Sequence, residues 1–303
     1  MPDAISIGCA NIDLIASVDR FPAEDDEVTI KALRVLHGGS AANVAVGIAR
    51  LGHSSGFVGI VGNDSYGKEL VDELKRERVE TTHVSAEKGS SGILFAAVTG
   101  DGQRRMFASN DAPSRFGKGH IPADYIKSSK FLHLTSVIGD SVIGAFEYAT
   151  AIAKQSGVKV CFDPGSILAI RGAEALKGIL KNCFAVLPNE VEIRMLTGLD
   201  DADGARKLLA YGPENVIVKL GARGAVLANK DGIRRFDAKK INLSETIDTT
   251  GAGDAFAAGL IAGLLEGKGL NEAIDLALLT SRISIFSPGA RCCPSREETK
   301  KYL

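Results

Sequence analysis

The sequence predicts a doubly wound α/β fold: a mostly parallel central sheet flanked by helices, with a small β-sheet lid. From residue 113 onward, short apolar runs alternate with segments whose apolar residues recur every three or four positions. That is the rhythm of strands and crossover helices in a parallel sheet. Two stretches, residues 13–36 and 91–112, break the rhythm and carry antiparallel strand signals. Finally, 303 residues, 45% hydrophobic and 24% charged, suffice for one large core with a small appendage. The same composition excludes disorder, collagen and coiled coil.

The first strand is expected at Ala4 to Gly8, followed by a helix at Ala41 to Leu51, a strand at Ser55 to Val61 and a helix at Ser65 to Arg78. Further strands are expected at Phe131 to Leu134, Lys159 to Phe162, Phe184 to Leu187 and Asn215 to Lys219. The crossover helices fall at Val142 to Ser156, Ala173 to Lys181, Glu190 to Thr197 and Ala202 to Tyr211. In residues 91–112, GILFAAVT and RRMFA flank Gly100, Asp101 and Gly102, which is a hairpin signal. Residues 13–36 and 91–112 could therefore join into a lid over a cleft, or form an ordinary sheet edge or long loop. The core then comprises residues 1–12, 37–90 and 113–303. A second hairpin, GAVLANK to IRRF around Asp231 and Gly232, is expected at the far edge of the core.

With 36 basic and 37 acidic residues, no overall field exists to hold a nucleic acid or an anionic membrane, so any polyanion must be gripped locally. The longest strongly apolar run, Ala255 to Leu265, is well short of the ~20 residues that span a bilayer. The acidic N-terminus does not resemble a signal peptide. Cys9, Cys161, Cys183, Cys292 and Cys293 lack metal-ligand spacing and read as small buried residues in a reducing, cytoplasmic compartment.

Two glycine-rich segments carry candidate chemistry. In HGGSAANVAVGIARLG, Gly38 and Gly39 allow a ligand to approach the main chain, and a helix starting near Ser40 leaves Asn43 in its first turn. Asn43 offers both a donor and an acceptor to a hydroxylated ligand. In DTTGAGDAFAAGLIAGLL, Thr249 or Thr250 is a natural cap, and Gly251, Ala252 and Gly253 leave their N–H groups uncovered at the positive end of a helix. A carboxylate at Asp254 would repel a phosphate held there, but it makes sense as a base. Alone, each segment also fits a tight turn or an acid favouring the helix dipole. No GxxxxGK[ST] occurs and no GxGxxG follows the first strand, which removes the Walker A and dinucleotide fingerprints.

Together, in this order and about two hundred residues apart, the two segments resemble the paired signatures of the ribokinase-like (PfkB) carbohydrate kinase family. Asn189 and Glu192 in PNEVEIRMLTG are similar to its NxxE motif, and VKLGARGA to its nucleotide-binding strand and turn. The resemblance covers nearly the whole chain and favours the lid. It implies transfer of the ATP γ-phosphate to a primary hydroxyl of a ribose- or fructose-type sugar. Asp254 would be the base, and the N–H groups of Gly251, Ala252 and Gly253 the anion hole. Asn11, Asp13, Gly38, Gly39 and Asn43 would hold the acceptor, with Thr135 beside them where relatives place a sugar-binding glutamate. Asn189, Lys219, Gly221 and Gly224 would border the nucleotide, and Glu192 would organise Mg²⁺ through water. Asp248 and Gly289 match a monovalent cation site, presumptively K⁺, although RCCPS puts Cys293 where several relatives carry serine.

The FDPG string at Phe162 to Gly165 resembles that of a nucleoside kinase of the family, an alternative that needs an apolar base slot, for which Phe107, Phe116 and Ile138 are candidates. A non-catalytic sensor on the same fold is a further alternative, against which the retained Asp254 argues. Of Arg104 and Arg105, at most one points into the cleft toward an anionic substrate, because alternate hairpin residues face opposite sides. Exposed lid edges suggest a homodimer through the lid.

Overall fold

The computed structural model describes residues 1–135, 137–238 and 247–302. In chain order its strands are β1 (Ala4–Ile7), β2 (Asn11–Val18), β3 (Ala32–Gly38), β4 (Ser55–Gly62), β5 (Val79–Glu87), β6 (Gly92–Thr99) and β7 (Arg104–Ser109). They continue with β8 (Phe131–Thr135), β9 (Lys159–Asp163), β10 (Ala185–Val186), β11 (Asn215–Lys219), β12 (Ala225–Asn229) and β13 (Gly232–Phe236). Nine form one sheet in the order β13-β12-β11-β10-β9-β8-β1-β4-β5. Every pair from β5 to β11 is parallel, and the β12–β13 hairpin adds antiparallel strands at the far edge, as expected.

Both faces of this sheet are covered. On β11, Val216 and Val218 pack on the side of Phe146, Phe162 and Leu208, while Ile217 packs on the side of Phe256, Leu260 and Ile261. Burial on two faces is why the central strands read as continuous apolar runs. Strand β5 was not expected. Its residues, VETTHVSAE, alternate between covered and exposed because it is an edge strand with one wet face. The single helix expected at Ala173 to Lys181 is two short ones, Gly172–Ala175 and Lys177–Leu180, separated at Leu176.

The four remaining strands form a separate sheet in the order β3-β2-β6-β7. Parallel pairing of β2 with β6 joins the two excursions, and both outer pairs are antiparallel. The ladder reaches back to Asn11, which lies opposite both Gly38 and Gly92. Asn11, Ile12, His37 and Gly38, placed in the core from sequence, thus belong to lid strands. Registered neighbours share a face. Asp13, Ile15 and Ser17 lie beside Leu36, Arg34 and Ala32 on one side and Leu94, Ala96 and Val98 on the other, with Met106 and Arg104 beyond. The opposite face carries Leu14, Val35, Phe95 and Phe107.

All five cysteines are free thiols. Among the described residues no helix is long and apolar enough to cross a membrane.

Candidate functional site

In a doubly wound sheet, ligands bind outside the carboxyl ends of the strands. Here Thr135 ends β8, Asp163 ends β9 and Lys219 ends β11, and all three line one cavity of about 330 Å³. The lid contributes Asn11, Asp13 and Leu94 as its roof. The glycine-rich segments complete it with Gly39 and Asn43 from one side and Gly251, Gly253 and Asp254 from the other.

Local backbone conformation explains the glycines. Gly39 has φ 92° ahead of the helix Ser40–Arg50, and a Cβ there would lie 2.6 Å from Ala10 Cα. Gly38 abuts Asp13, whose Cγ would be 2.7 Å from an added Cβ. Gly251 has φ 79° ahead of the helix Ala252–Leu265, and a Cβ would meet the Ala290 backbone. Neither threonine caps that helix. Gly251 occupies the cap position, and the Thr250 hydroxyl donates to Asp248 at 2.7 Å. Ala252 is not among the cavity-lining residues, and its N–H donates to the Thr249 carbonyl at 3.3 Å, so Gly251 and Gly253 are the anion-hole candidates that face the cavity. Gly221 (φ 55°) and Gly224 (φ 89°) shape the turn after β11 without lining this cavity.

Asp254 sits in the first turn of its helix, where the aligned N–H groups favour negative charge. Its carboxylate accepts a 2.8 Å hydrogen bond from Asn43 Nδ2. Burial raises its pKa to about 7, against the lowering effect of that bond. Asn43 Oδ1 in turn accepts from Arg291 Nε at 3.1 Å, which sets the end of the amide that faces Asp254. Arg291 is buried. It also donates to the Gly38 carbonyl at 2.7 Å and pairs with buried Glu73 on the helix Ser65–Arg76. Arg50 holds the same loop, donating to the carbonyls of Arg291 (2.9 Å) and Cys293 (3.2 Å). Asp13 accepts from Asn11 Nδ2, and burial raises its pKa to about 6 despite the nearby charge of Arg291.

At the opposite end of the cavity, Lys219 Nζ pairs with Asp163. Asn189 caps the helix Glu190–Thr197, accepting from the N–H groups of Val191 and Glu192 at 2.9 Å each, and Glu192 returns a bond to the Asn189 N–H at 2.8 Å. This capping box orients Glu192 inward rather than onto a solvated helix face. Burial, with Asp163 adding to it, raises the Glu192 pKa. Asp163 takes the one ammonium, so a second negative charge on Glu192 is disfavoured until a cation joins it, a balance that a hydrated divalent cation beside a nucleotide would meet. Among the described residues no group of three or more potential ligands could hold a metal directly.

A second cavity of about 320 Å³ adjoins the first beneath the lid, sharing Asp13, Leu94, Thr250 and Ala290. Asp248 and Gly289 lie here. The Asp248 carboxylate accepts from Thr250 N–H (3.0 Å), the Thr250 hydroxyl and Gly289 N–H (3.1 Å), and Arg104 Nη2 lies 3.9 Å away. The Cys292 thiol lies 3.4 Å from the Thr250 carbonyl oxygen. A monovalent cation here would share the Asp248 carboxylate with three donors and a nearby guanidinium. Arg104 reaches the cleft and Arg105 turns away to stack over Phe21, 4.5 Å from the ring centroid. None of the base-slot candidates lines either cavity. Phe116 is buried against Phe146, Phe107 is exposed on the outer lid face, and Ile138 lines a different cavity with Ile143 and Ile167.

The residues that sequence reasoning missed are Asp163, Arg291 and Glu73. A carboxylate closing an apolar strand before Pro164 and Gly165 was a readable signal for Asp163. Arg291 and Glu73 meet only through the fold.

The profile described as "pfkB family carbohydrate kinase" matches residues 1–297. A ribokinase of Haemophilus influenzae is 29% identical, covering 98% of this chain and 97% of its own. An ATP-dependent ribose-1-phosphate kinase of Halopiger xanaduensis is 30% identical, covering 100% of this chain and 98% of its own. The crystal structure of ribokinase from Thermotoga maritima matches with a TM-score of 0.88 and 30% identity, covering 100% of this chain and 99% of that one.

If Arg291 holds the Asn43 amide in register, Arg291→Gln frees Asn43 to turn its oxygen toward Asp254. A hydrogen bond to a charged group contributes about 1.5–3 kcal/mol, and one pKa unit is about 1.4 kcal/mol. The acid limb of the kcat/KM profile, expected near pH 7 from Asp254, should move up by roughly one to two units. With Asp254 in the role of general base, activity should then fall across the neutral range, since only the deprotonated carboxylate accepts a proton. A limb that stays in place while thermal stability drops would reduce Arg291 to a structural staple.

Proposed function

Because this chain belongs to the pfkB family of carbohydrate kinases, we propose that it transfers the γ-phosphoryl group of ATP to a primary hydroxyl of a ribose- or fructose-type sugar, with Asp254 as base. One observation carries this reading: a recessed carboxylate, poised near neutrality, stands at a helix N-terminus inside a polar cavity and is oriented by Asn43.

The acceptor hydroxyl lies against Asp254, which takes its proton as the oxygen attacks the γ-phosphorus. The bond from the γ-phosphorus to the bridging oxygen of ADP breaks, and ADP leaves with that electron pair. The Gly251 and Gly253 N–H groups and the helix dipole stabilise charge on the phosphoryl oxygens. Asn11, Asp13 and Asn43 bind the sugar hydroxyls, Gly39 lets the sugar approach the backbone, Gly38 leaves room for the Asp13 carboxylate, and Thr135 closes the floor. Lys219 contacts the phosphates, while Asn189 and the turn of Gly221 and Gly224 border the nucleotide. Burial opposes charge on Lys219, but Asp163 and Glu192 outweigh it, so the ammonium persists. Glu192, with Asp163, fits the water shell of Mg²⁺, which would neutralise phosphate charge when bound with ATP.

We also infer a homodimer through the lid. Leu33, Val35 and Phe107 are 53%, 55% and 66% exposed on it, and β3 and β7 leave unpaired edges.

Asp254→Asn is expected to lower turnover at least about a hundredfold while ATP affinity, followed by calorimetry, stays near wild type. Equal ADP release by mutant and wild type would remove Asp254 from the chemistry. For the lid, Phe107→Glu should convert a dimer to a monomer in light scattering at micromolar concentration, and a monomeric wild type would refute the dimer.

A further inference from the structure

We infer that the acceptor carries an anionic substituent, phosphate or carboxylate, at the end remote from the hydroxyl that reacts, and that Arg34 and Arg104 bind it beneath the lid. This rests on the kinase reading for the position of the reacting hydroxyl. With that hydroxyl at Asp254, the rest of the acceptor extends past Asp13 into the adjoining cavity of about 320 Å³. The lid face that roofs it is apolar or small: Ile15, Ser17, Ala96 and Val98. Its charged rim comes from opposite edges of the lid sheet, Arg34 from β3 and Arg104 from β7.

Their placement is dictated by register. Arg34 lies opposite Ile15, and Arg104 opposite Val98, whose own partner is Ser17. Both arginines therefore project from the face that carries Asp13, across two intervening strands of small or apolar side chains. Three strand spacings and a two-residue offset along the strands separate their backbone positions by about 16 Å, a gap that two long side chains closing on one anion can span. Arg104 already enters the cleft, with Nη1 3.5 Å from Thr250 Oγ1, one residue before Gly251. Its ion pair with Asp248, at 3.9 Å, is loose, and burial of Asp248 is outweighed by the Thr250 and Gly289 donors that lower its pKa. Among the described residues, Arg34 has no hydrogen-bond or ion-pair partner.

The energetics of closure make the assignment. A lid folding over a neutral sugar would cover Arg34 with no anion beside it and Arg104 with only the loose Asp248 carboxylate, which three other donors already share, and removing water from such weakly paired charges is costly. An acceptor that brings its own negative charge converts that cost into charge-assisted, bidentate hydrogen bonds. Charged residues on edge strands also block unwanted pairing, but that role does not require two of them to face one cavity.

The test compares ribose, ribose 1-phosphate, gluconate and adenosine with wild type, Arg34→Ala and Arg104→Ala, reading both phosphoryl transfer and calorimetric binding. Wild type should favour ribose 1-phosphate or gluconate over ribose by at least about tenfold, and which of the two wins identifies phosphate or carboxylate. Each alanine variant should lose about tenfold for the anionic acceptor and leave ribose unchanged. Preference for ribose or adenosine, or equal losses for charged and neutral acceptors, would overturn the inference while leaving the kinase reading intact. Arginine-dependent binding of an anionic sugar without transfer in any arm would uphold the anion site and defeat the kinase reading. No binding and no transfer in any arm would defeat both.

Discussion

The hydrogen bond from Asn43 to Asp254 is the contact on which the site depends. A carboxylate in a recessed cavity is driven toward its protonated form by desolvation. To act as the base we propose, it must nevertheless ionise near neutral pH. The fold reconciles these demands with a helix N-terminus behind the carboxylate and an amide donor in front of it. The donor would be lost if Asn43 could rotate freely, and Arg291 removes that freedom by occupying the amide oxygen.

Arg291 also links parts of the molecule that are distant in sequence. One guanidinium touches Asn43 in the first glycine-rich segment, the Gly38 carbonyl where the lid strand ends, and Glu73 on a helix of the core. The lid side of the cavity and Asp254 are therefore positioned by the same buried cation. The nucleotide side has its own balance, with Lys219 set between Asp163 and Glu192. The two ends meet at the start of the Ala252–Leu265 helix, where phosphoryl transfer would occur.

What the sequence made legible follows from what repeats locally. The parallel core was readable because burial on both faces produces short, mostly apolar runs such as FLHLT and the centre of NVIVK. Glycine pairs ahead of helices were readable because Gly39 and Gly251 hold backbone angles that other residues avoid. Strand β5 escaped because a half-wet edge strand of Glu, Thr, His and Ser resembles a loop. Thr249 and Thr250 looked like caps, yet a left-handed glycine ends the loop instead and frees Thr250 to bind Asp248. Arg291 and Glu73 carried no signal, since their meaning lies in a contact spanning 218 residues.

The most direct measurement is the ionisation of the Asp254 carboxyl itself, followed by isotope-edited infrared difference spectroscopy of wild type against Asp254→Asn across a pH titration. A carboxyl band that converts to carboxylate with a midpoint near 7 is the expected result. A midpoint near 4, the ordinary value for an exposed aspartate, would show a solvated side chain and contradict the recessed, oriented base.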